Sequence, residues 1–389
     1  MAIIENAVAL CAVGAEKTVS NEIRKLGLTV CEGGFGKVRF KTDLAGLYRA
    51  LIGLRAADRI LLEIAFFAAP DFDELFEKVR RQPWEEYVPP GIGLRVVKVR
   101  TNRSTLGAET SIQAVVHKAA ADRLCSKRGI TRLPETGDEA ELRVYIEKNQ
   151  ASVLLDLSGE PLFRRGYRTR GGIAPLRETT AAAIILHSGW RRKFPLYDPF
   201  CGSGTIAIEA AMYAWDIAPG LGRQFALGQL LCGNRETEKQ IRSEFMEKAD
   251  FSRLVRIGGS DTDAAAVEAA RANMERAIAL VKGTENSKFR VTPPSFKVLP
   301  MADANKPLDD NDAGFIITNP PYGHRLGDAD TAERTYTEMG VLARNFPGWK
   351  LALITDHPGF ESFFGRKADS CREITNGAIR SYLYQYEKL

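Results

Sequence analysis

The chain has 389 residues, a net charge of +5 and six scattered cysteines, at positions 11, 31, 125, 201, 232 and 371. That length allows two or three domains with cores of their own, the charged and apolar fractions are ordinary for a soluble globular protein, and no run approaches the ~18 apolar residues a membrane helix needs. The cysteines form no CxxC pair, which argues against structural zinc or a disulfide framework and fits a reducing cytoplasm. Met1-Ala2-Ile3-Ile4-Glu5-Asn6 lacks the basic head and apolar core of a secretory signal.

Residues 6–68 read as β-α-β-β-α-β, the ferredoxin-like order. Val8–Val13 is a strand, and Ala15–Lys25 has helical spacing with Val19, Ile23 and Leu26 on one face. Thr29–Glu32 and Lys37–Phe40 flank the turn Gly33-Gly34-Phe35-Gly36. Asp43 caps a helix to about Leu54, and Arg59–Phe67 is a strand. Residues 71–157 form a second unit. Asp71 caps a helix to about Arg81, Pro89-Pro90-Gly91 breaks the chain, and Leu94–Arg100 is a strand. A helix starts at Ser111, and Leu142–Glu147 with Ala151–Asp156 makes a hairpin. This pattern resembles the THUMP module of RNA-modifying enzymes, a resemblance that implies binding of structured RNA.

Charge is unevenly placed. Residues 1–170 carry 27 Lys and Arg against 22 Asp and Glu, whereas residues 171–389 carry 27 against 27. Within 100–132, Arg100, Arg103, Lys118, Arg123, Lys127, Arg128 and Arg132 face only Glu109 and Asp122. A solvated helix face and a polyanion-binding surface both fit this cluster. The connector 158–180, with Phe163-Arg164-Arg165-Gly166-Tyr167-Arg168-Thr169-Arg170, reads equally as a soluble linker or as a strand edge on phosphate backbone. A helix opens at Ala174-Pro175 and runs to about Ser188.

From 195 onward strands and helices alternate, which gives a mostly parallel sheet with helices on both faces and ligands beyond the carboxyl ends of the strands. The stretch 217–252 is an insertion, helical over Arg235–Lys248, to which the residues assign no role. Two motifs stand at strand ends. Asp198-Pro199-Phe200-Cys201-Gly202-Ser203-Gly204-Thr205 is a glycine loop between a strand and a helix. It lacks the lysine of a phosphate cradle. A nicotinamide site expects an acid about twenty positions on; here the acid after the second strand is Asp261, in Ser260-Asp261-Thr262-Asp263, delayed by the insertion. The third reading is S-adenosylmethionine, which has ribose and adenine but no phosphate. Asp198 would repel a pyrophosphate and attract an ammonium or sulfonium, Asp261 can accept ribose hydroxyls, and Asp303 can accept the adenine amine.

The second motif, Asn319-Pro320-Pro321-Tyr322, follows the apolar strand Phe315–Thr318. An exocyclic amine on a nucleobase is a poor nucleophile because its lone pair is delocalised into the ring. The Asn319 side-chain oxygen and the Pro320 carbonyl can accept its two hydrogens and aim the lone pair at a methyl group. The consecutive prolines stiffen the acceptors and Tyr322 can stack on a flipped base. Direct in-line transfer of this kind needs no metal, and the four histidines (117, 187, 324, 357) have no ligand spacing. Cys201, inside the glycine loop, reads as a packing residue.

The chain resembles the THUMP-containing RNA guanine-N2 methyltransferases, and among them those acting on large-subunit (23S) ribosomal RNA. The resemblance lies in Asp198–Thr205, Ile208-Glu209-Ala210-Ala211, Ile217-Ala218-Pro219-Gly220 and Asn319-Pro320-Pro321-Tyr322-Gly323-His324-Arg325-Leu326-Gly327. It departs after Arg223-Gln224-Phe225, where Ala226-Leu227-Gly228-Gln229 replaces an acid and an aromatic. The resemblance implies three parts: a ferredoxin-like domain at 1–70, a THUMP RNA-binding domain at 71–160, and an α/β, Rossmann-like class I methyltransferase domain with an antiparallel last strand at 161–389, of which 161–180 is connector. Expected cofactor contacts for S-adenosyl-L-methionine are Asp198, Cys201, Gly202, Ser203, Gly204, Thr205, Asp261, Thr262, Asp303 and Ala304. Asn319, Pro320, Pro321 and Tyr322 are the expected catalytic set. Arg100, Arg103, Lys118, Arg164, Arg165 and Arg168 are the expected RNA contacts. The expected partner is RNA, ribosomal or alternatively transfer RNA, with no membrane and no metal, and the expected state is a monomer or weak dimer. Adenine N6 in DNA and a non-catalytic RNA-binding role are the rival readings.

Overall fold

The alternation in Lys37-Val38-Arg39-Phe40-Lys41 places Val38 and Phe40 in the core and turns the cations away from it. This strand belongs to the first of two seven-stranded sheets in the computed structural model, which describes residues 6–168, 176–282, 291–306, 313–321 and 329–389. In chain order the first half comprises β1 (Ala7–Cys11), α1 (Glu16–Lys25), β2 (Thr29–Gly34), β3 (Lys37–Lys41), α2 (Leu44–Gly53) and β4 (Ala57–Ala68). It continues with α3 (Phe72–Arg80), β5 (Gly93–Asn102), α4 (Glu109–Arg128), β6 (Glu139–Glu147) and β7 (Gln150–Asp156). Both expected caps form: the Asp43 side chain accepts from the Gly46 N–H and the Asp71 side chain from that of Glu74. The first four strands take the antiparallel ferredoxin-like order β2-β3-β1-β4.

The ferredoxin-like and following units share one sheet. The twelve-residue β4 pairs with β1 on one side and, from Leu61↔Asp156 to Ala68↔Gln150, with β7 on the other. The order is therefore β2-β3-β1-β4-β7-β6-β5.

The second half contains α5 (Glu178–His187), β8 (Leu196–Asp198), α6 (Thr205–Ala214), α7 (Arg235–Lys248), β9 (Ile257–Asp261), α8 (Ala264–Lys282), β10 (Ser295–Val298) and β11 (Phe315–Thr318). It closes with α9 (Ala329–Glu338), β12 (Lys350–Thr355), α10 (Leu342–Asn345, before β12), α11 (Phe360–Phe364), β13 (Ser370–Asn376) and β14 (Ile379–Tyr386). The sheet order is β10-β9-β8-β11-β12-β14-β13. Strands β8 to β12 are parallel, and β14 runs antiparallel between β12 and β13. The expected α/β class and antiparallel last strand are both present. The helix expected from Ala174 begins, among the described residues, at Glu178; Ala174 and Pro175 lie outside them.

The insertion acquires a structural role. Arg242 on α7 donates to the carbonyls of Gly220, Leu221 and Arg223, and Arg223 donates to those of Glu160, Pro161 and Arg164. The strap so formed lies on the first half. Gly220 N donates to Ile52 O at 2.9 Å, and Asn234 N donates to the Tyr48 hydroxyl at 3.0 Å. A Cβ at Gly220 would stand 2.6 Å from Ile52 Cα and 2.7 Å from Leu51 O, so only glycine lets these backbones meet. Elsewhere the halves join through Arg55, whose guanidinium donates to Ile217 O at 2.6 Å, and through Val13 and Thr375, which exchange two hydrogen bonds of 3.0 Å.

Candidate active site

Strand β8 ends at Asp198, and the loop that follows turns into α6. Gly202 and Gly204 hold φ of +50° and +84°, and a Cβ on Gly204 would stand 2.9 Å from Ala270 Cβ and 3.2 Å from Phe296 Cζ. Left-handed backbone and close approach thus both demand glycine there. Three anchors hold the loop. Asp261, at the end of β9, accepts from Gly202 N at 2.9 Å; Asn273 on α8 donates to Ser203 O at 2.9 Å; and Cys201 N donates to Ser260 O at 2.8 Å. Arg276 orients Asn273 by donating to its side-chain oxygen, while its Nε donates to Tyr167 O at 2.7 Å.

The acids expected at strand ends do stand at the carboxyl edge of β8, β9 and the segment after β10. Asp261 is half-buried and its other oxygen accepts from Asp263 N. Its two oxygens offer four acceptor sites, so capacity remains for ribose hydroxyls. Asp303 and Thr262 are exposed, whereas Ala304, Cys201 and Thr205 are buried. Burial first, then the negative field of Asp198 and Asp261, pushes the Cys201 thiol well up, which leaves it protonated and unreactive.

Asp198 is wholly buried, at 1% exposure. Its Oδ1 accepts from the Thr318 hydroxyl at 2.6 Å and from Phe200 N at 3.1 Å. Burial, with a smaller contribution from Asp261, nevertheless pushes its carboxyl up to about 7 against the pull of those two donors. Thr318 is the last residue of β11, so this hydrogen bond ties the cofactor loop to Asn319. The Asn319 side-chain oxygen is buried and accepts no hydrogen bond among the described residues. Pro320 is buried and Pro321 half-buried; Tyr322 and His324 lie outside the described residues. Carboxylates at the strand ends and a glycine loop without a lysine fit S-adenosylmethionine: a sulfonium and an ammonium for the acids, and ribose hydroxyls for Asp261.

The basic residues separate into two groups. Arg100 is exposed and paired with Glu109 at 2.6 Å, Arg164 is exposed and paired with Glu160 at 2.6 Å, and Arg103 and Lys118 are exposed, Arg103 with φ +48°. Arg165 and Arg168 point inward. Arg165 is 3% exposed, donates to the carbonyls of Arg55 and Leu162, and stands 3.5 Å from Glu209 on α6. Arg168 contacts the Thr205 hydroxyl and Glu178. The expectation that these two touch RNA is therefore corrected: their partners are carboxylates and carbonyls of the interior, and a buried guanidinium so engaged presents no donor to phosphate. Thr318, Asn273 and Arg276 were not singled out from the sequence. Only Thr318, adjacent to Asn319, carried a local signal.

Comparison with known proteins agrees with this geometry. Residues 165–385 match the UPF0020 family, described as RMKL-like, methyltransferase domain, and residues 6–61 match the RlmL ferredoxin-like domain. YpsC of Bacillus subtilis (strain 168), named there as a candidate RNA methyltransferase, is 36% identical over 97% of this chain and 95% of its own length. The ribosomal RNA large subunit methyltransferase K/L of Cellvibrio japonicus (strain Ueda107) is 33% identical over 97% of this chain, which spans about half (50%) of that longer relative. The crystal structure of SMU.472, a methyltransferase candidate complexed with SAH, is 37% identical, covers 100% of this chain and 99% of its own, and superposes with a TM-score of 0.87. The chain belongs to the RMKL-like methyltransferase family, and S-adenosylmethionine is its cofactor.

Proposed function

We propose that the chain methylates the exocyclic N2 amine of a guanosine in RNA, with 23S ribosomal RNA as the substrate. The observation that carries this reading is the Asn319 side-chain oxygen, buried at the end of β11 without a hydrogen-bond partner among the described residues. A buried acceptor left unpaired costs about 1–3 kcal/mol, and an amine N–H of the substrate would relieve that cost. Asn319 Oδ1 accepts one hydrogen of the amine and the Pro320 carbonyl the other, which draws the nitrogen toward pyramidal geometry. Tyr322 stacks on the base. Thr318, held by Asp198, fixes the direction of Asn319. When bound, S-adenosylmethionine supplies a methyl group activated by its sulfonium. Held by Asn319 and Pro320, the amine lone pair would accept that methyl, with S-adenosylhomocysteine as the leaving group and the amine proton released to solvent. The units at 1–70 and 71–160, with Arg100, Arg103 and Lys118, bring the RNA; the large-subunit substrate named for the K/L relatives supports the ribosomal assignment.

The test is nucleoside mass spectrometry of deproteinised 23S RNA and of transfer RNA after incubation with the chain and cofactor. N2-methylguanosine in the 23S sample is expected, and Asn319→Ala is expected to abolish it while cofactor affinity holds. Methyl groups found only on transfer RNA or on adenine N6, or full activity in Asn319→Ala, would refute the assignment.

A further inference from the structure

Phe35 is the most exposed large apolar side chain among the described residues, at 85%. It stands in the turn Gly33-Gly34-Phe35-Gly36 between β2 and β3. A buried ring is among the larger stabilising contributions one residue can make, and folding draws none of it from Phe35. The turn is nevertheless firmly built. Glu16 on α1 accepts from Gly36 N at 2.7 Å with one carboxylate oxygen and from Gly14 N at 2.9 Å with the other. Cys11 N donates to Gly36 O at 2.9 Å, and Gly36 holds φ +69°. The ring is thus presented to solvent on a fixed support.

That support is fastened to the edge of the second sheet that carries the candidate site. Strand β13 runs parallel to β12, because both pair antiparallel with β14, and Glu373 and Thr355 both oppose Tyr382. Thr318 opposes Leu353, so Thr375 lies beyond the level of Thr318, at the same carboxyl edge as Asn319. Val13 and Thr375 exchange two hydrogen bonds there, and a Cβ at Gly14 would stand 2.1 Å from Glu373 O. The Phe35 turn is therefore about five strand spacings from β11, roughly 20–25 Å along that edge. A single ring flanked by glycines offers far less than the ~800 Å² per partner of a stable protein interface. One aromatic face is, however, the unit on which a nucleobase stacks. We propose that Phe35 stacks on an unpaired base of the RNA substrate and so sets where along the RNA the chain docks. This rests on RNA being the substrate, as proposed above.

Binding to deproteinised 23S RNA is measured for the wild-type chain and for Phe35→Ala, Phe35→Leu and Phe35→Trp. Phe35→Ala is expected to weaken binding roughly five- to hundredfold, the range of one lost stack. Its salt slope should match wild type, because no charge is removed. Phe35→Leu keeps apolar bulk without a ring and should lose nearly as much, whereas Phe35→Trp should bind as well as wild type. The four native tryptophans, Trp84, Trp190, Trp215 and Trp349, are at most 4% exposed. The introduced indole therefore reports alone on solvent, and RNA should quench it and shield it from acrylamide. Wild-type affinity in Phe35→Ala, or an indole still open to acrylamide in the complex, overturns the proposal. Wild-type affinity in Phe35→Leu overturns stacking. Shielding of the indole only when ribosomal protein accompanies the RNA overturns it in favour of a protein partner. Failure of the wild-type chain to bind RNA at all would instead reject the RNA reading itself.

Discussion

Asp198 is poised to titrate, and replacing it by asparagine isolates that property. Asparagine keeps an acceptor oxygen for the Thr318 hydroxyl and the Phe200 N–H and removes the charge. In the folded chain the carboxyl is pushed from 3.8 up to about 7. Between those values the folded state holds a proton that the unfolded state has released. Stability contributed by the protonated group is complete below the unfolded value and is lost as pH rises through the folded one. The full shift is worth about 4 kcal/mol, of which about 2 kcal/mol is lost between roughly pH 5.5 and 8. Asparagine does not titrate, so its advantage in urea unfolding should grow by about 2 kcal/mol over that interval and stay flat above it. A saturating cation at the site favours the ionised carboxylate, so S-adenosylmethionine should shrink the pH slope of the wild-type chain and leave the variant's unchanged. Parallel stability curves for the two proteins between pH 5.5 and 8 would refute the reasoning.

Two further outcomes follow from the fold. Gly220→Ala forces apart backbones that meet at 2.6–2.7 Å from the added carbon; it should cost about 1–3 kcal/mol, and an unfolding midpoint equal to wild type would show that the strap yields freely. Neutralising Arg103 and Lys118 together, both exposed on the loop and helix after β5, should reduce the salt slope of RNA binding by about two; an unchanged slope in filter-binding titrations would place the RNA elsewhere.

Much of this was legible because the signals were local. A cap such as Asp43 or Asp71 acts over three residues, and the glycines of the loop answer to the turn they make. Apolar periodicity likewise marked the successive strands and helices along the chain, whereas the pairing of β4 with β7, which joins the first two units in one sheet, had no local signal. What escaped depended on partners distant in sequence. Arg165 and Arg168 stand in a basic, glycine-punctuated run that looks like surface, but their carboxylate and hydroxyl partners are Glu209, Thr205 and Glu178. The insertion looked idle because its purpose is written in Ile52 and Tyr48, well over a hundred residues away. Asp198 was readable as an acid near the cofactor. Its burial was not, because burial is conferred by β11 and β9 on either side.

The seam between the halves has a bearing on how the molecule can be taken apart. Arg55 belongs to the first half and is buried against Ile217, while Arg165 reaches back to the Arg55 carbonyl and forward to Glu209. A cut near residue 160 would strand these ions at a raw apolar surface, and breaking one buried pair alone typically costs about 3–5 kcal/mol. The change of architecture at that point is therefore a poor place for scissors. A fragment holding the glycine loop and Asn319 would report its own misfolding rather than the contribution of the half removed, and single substitutions in the intact chain are the sounder dissection.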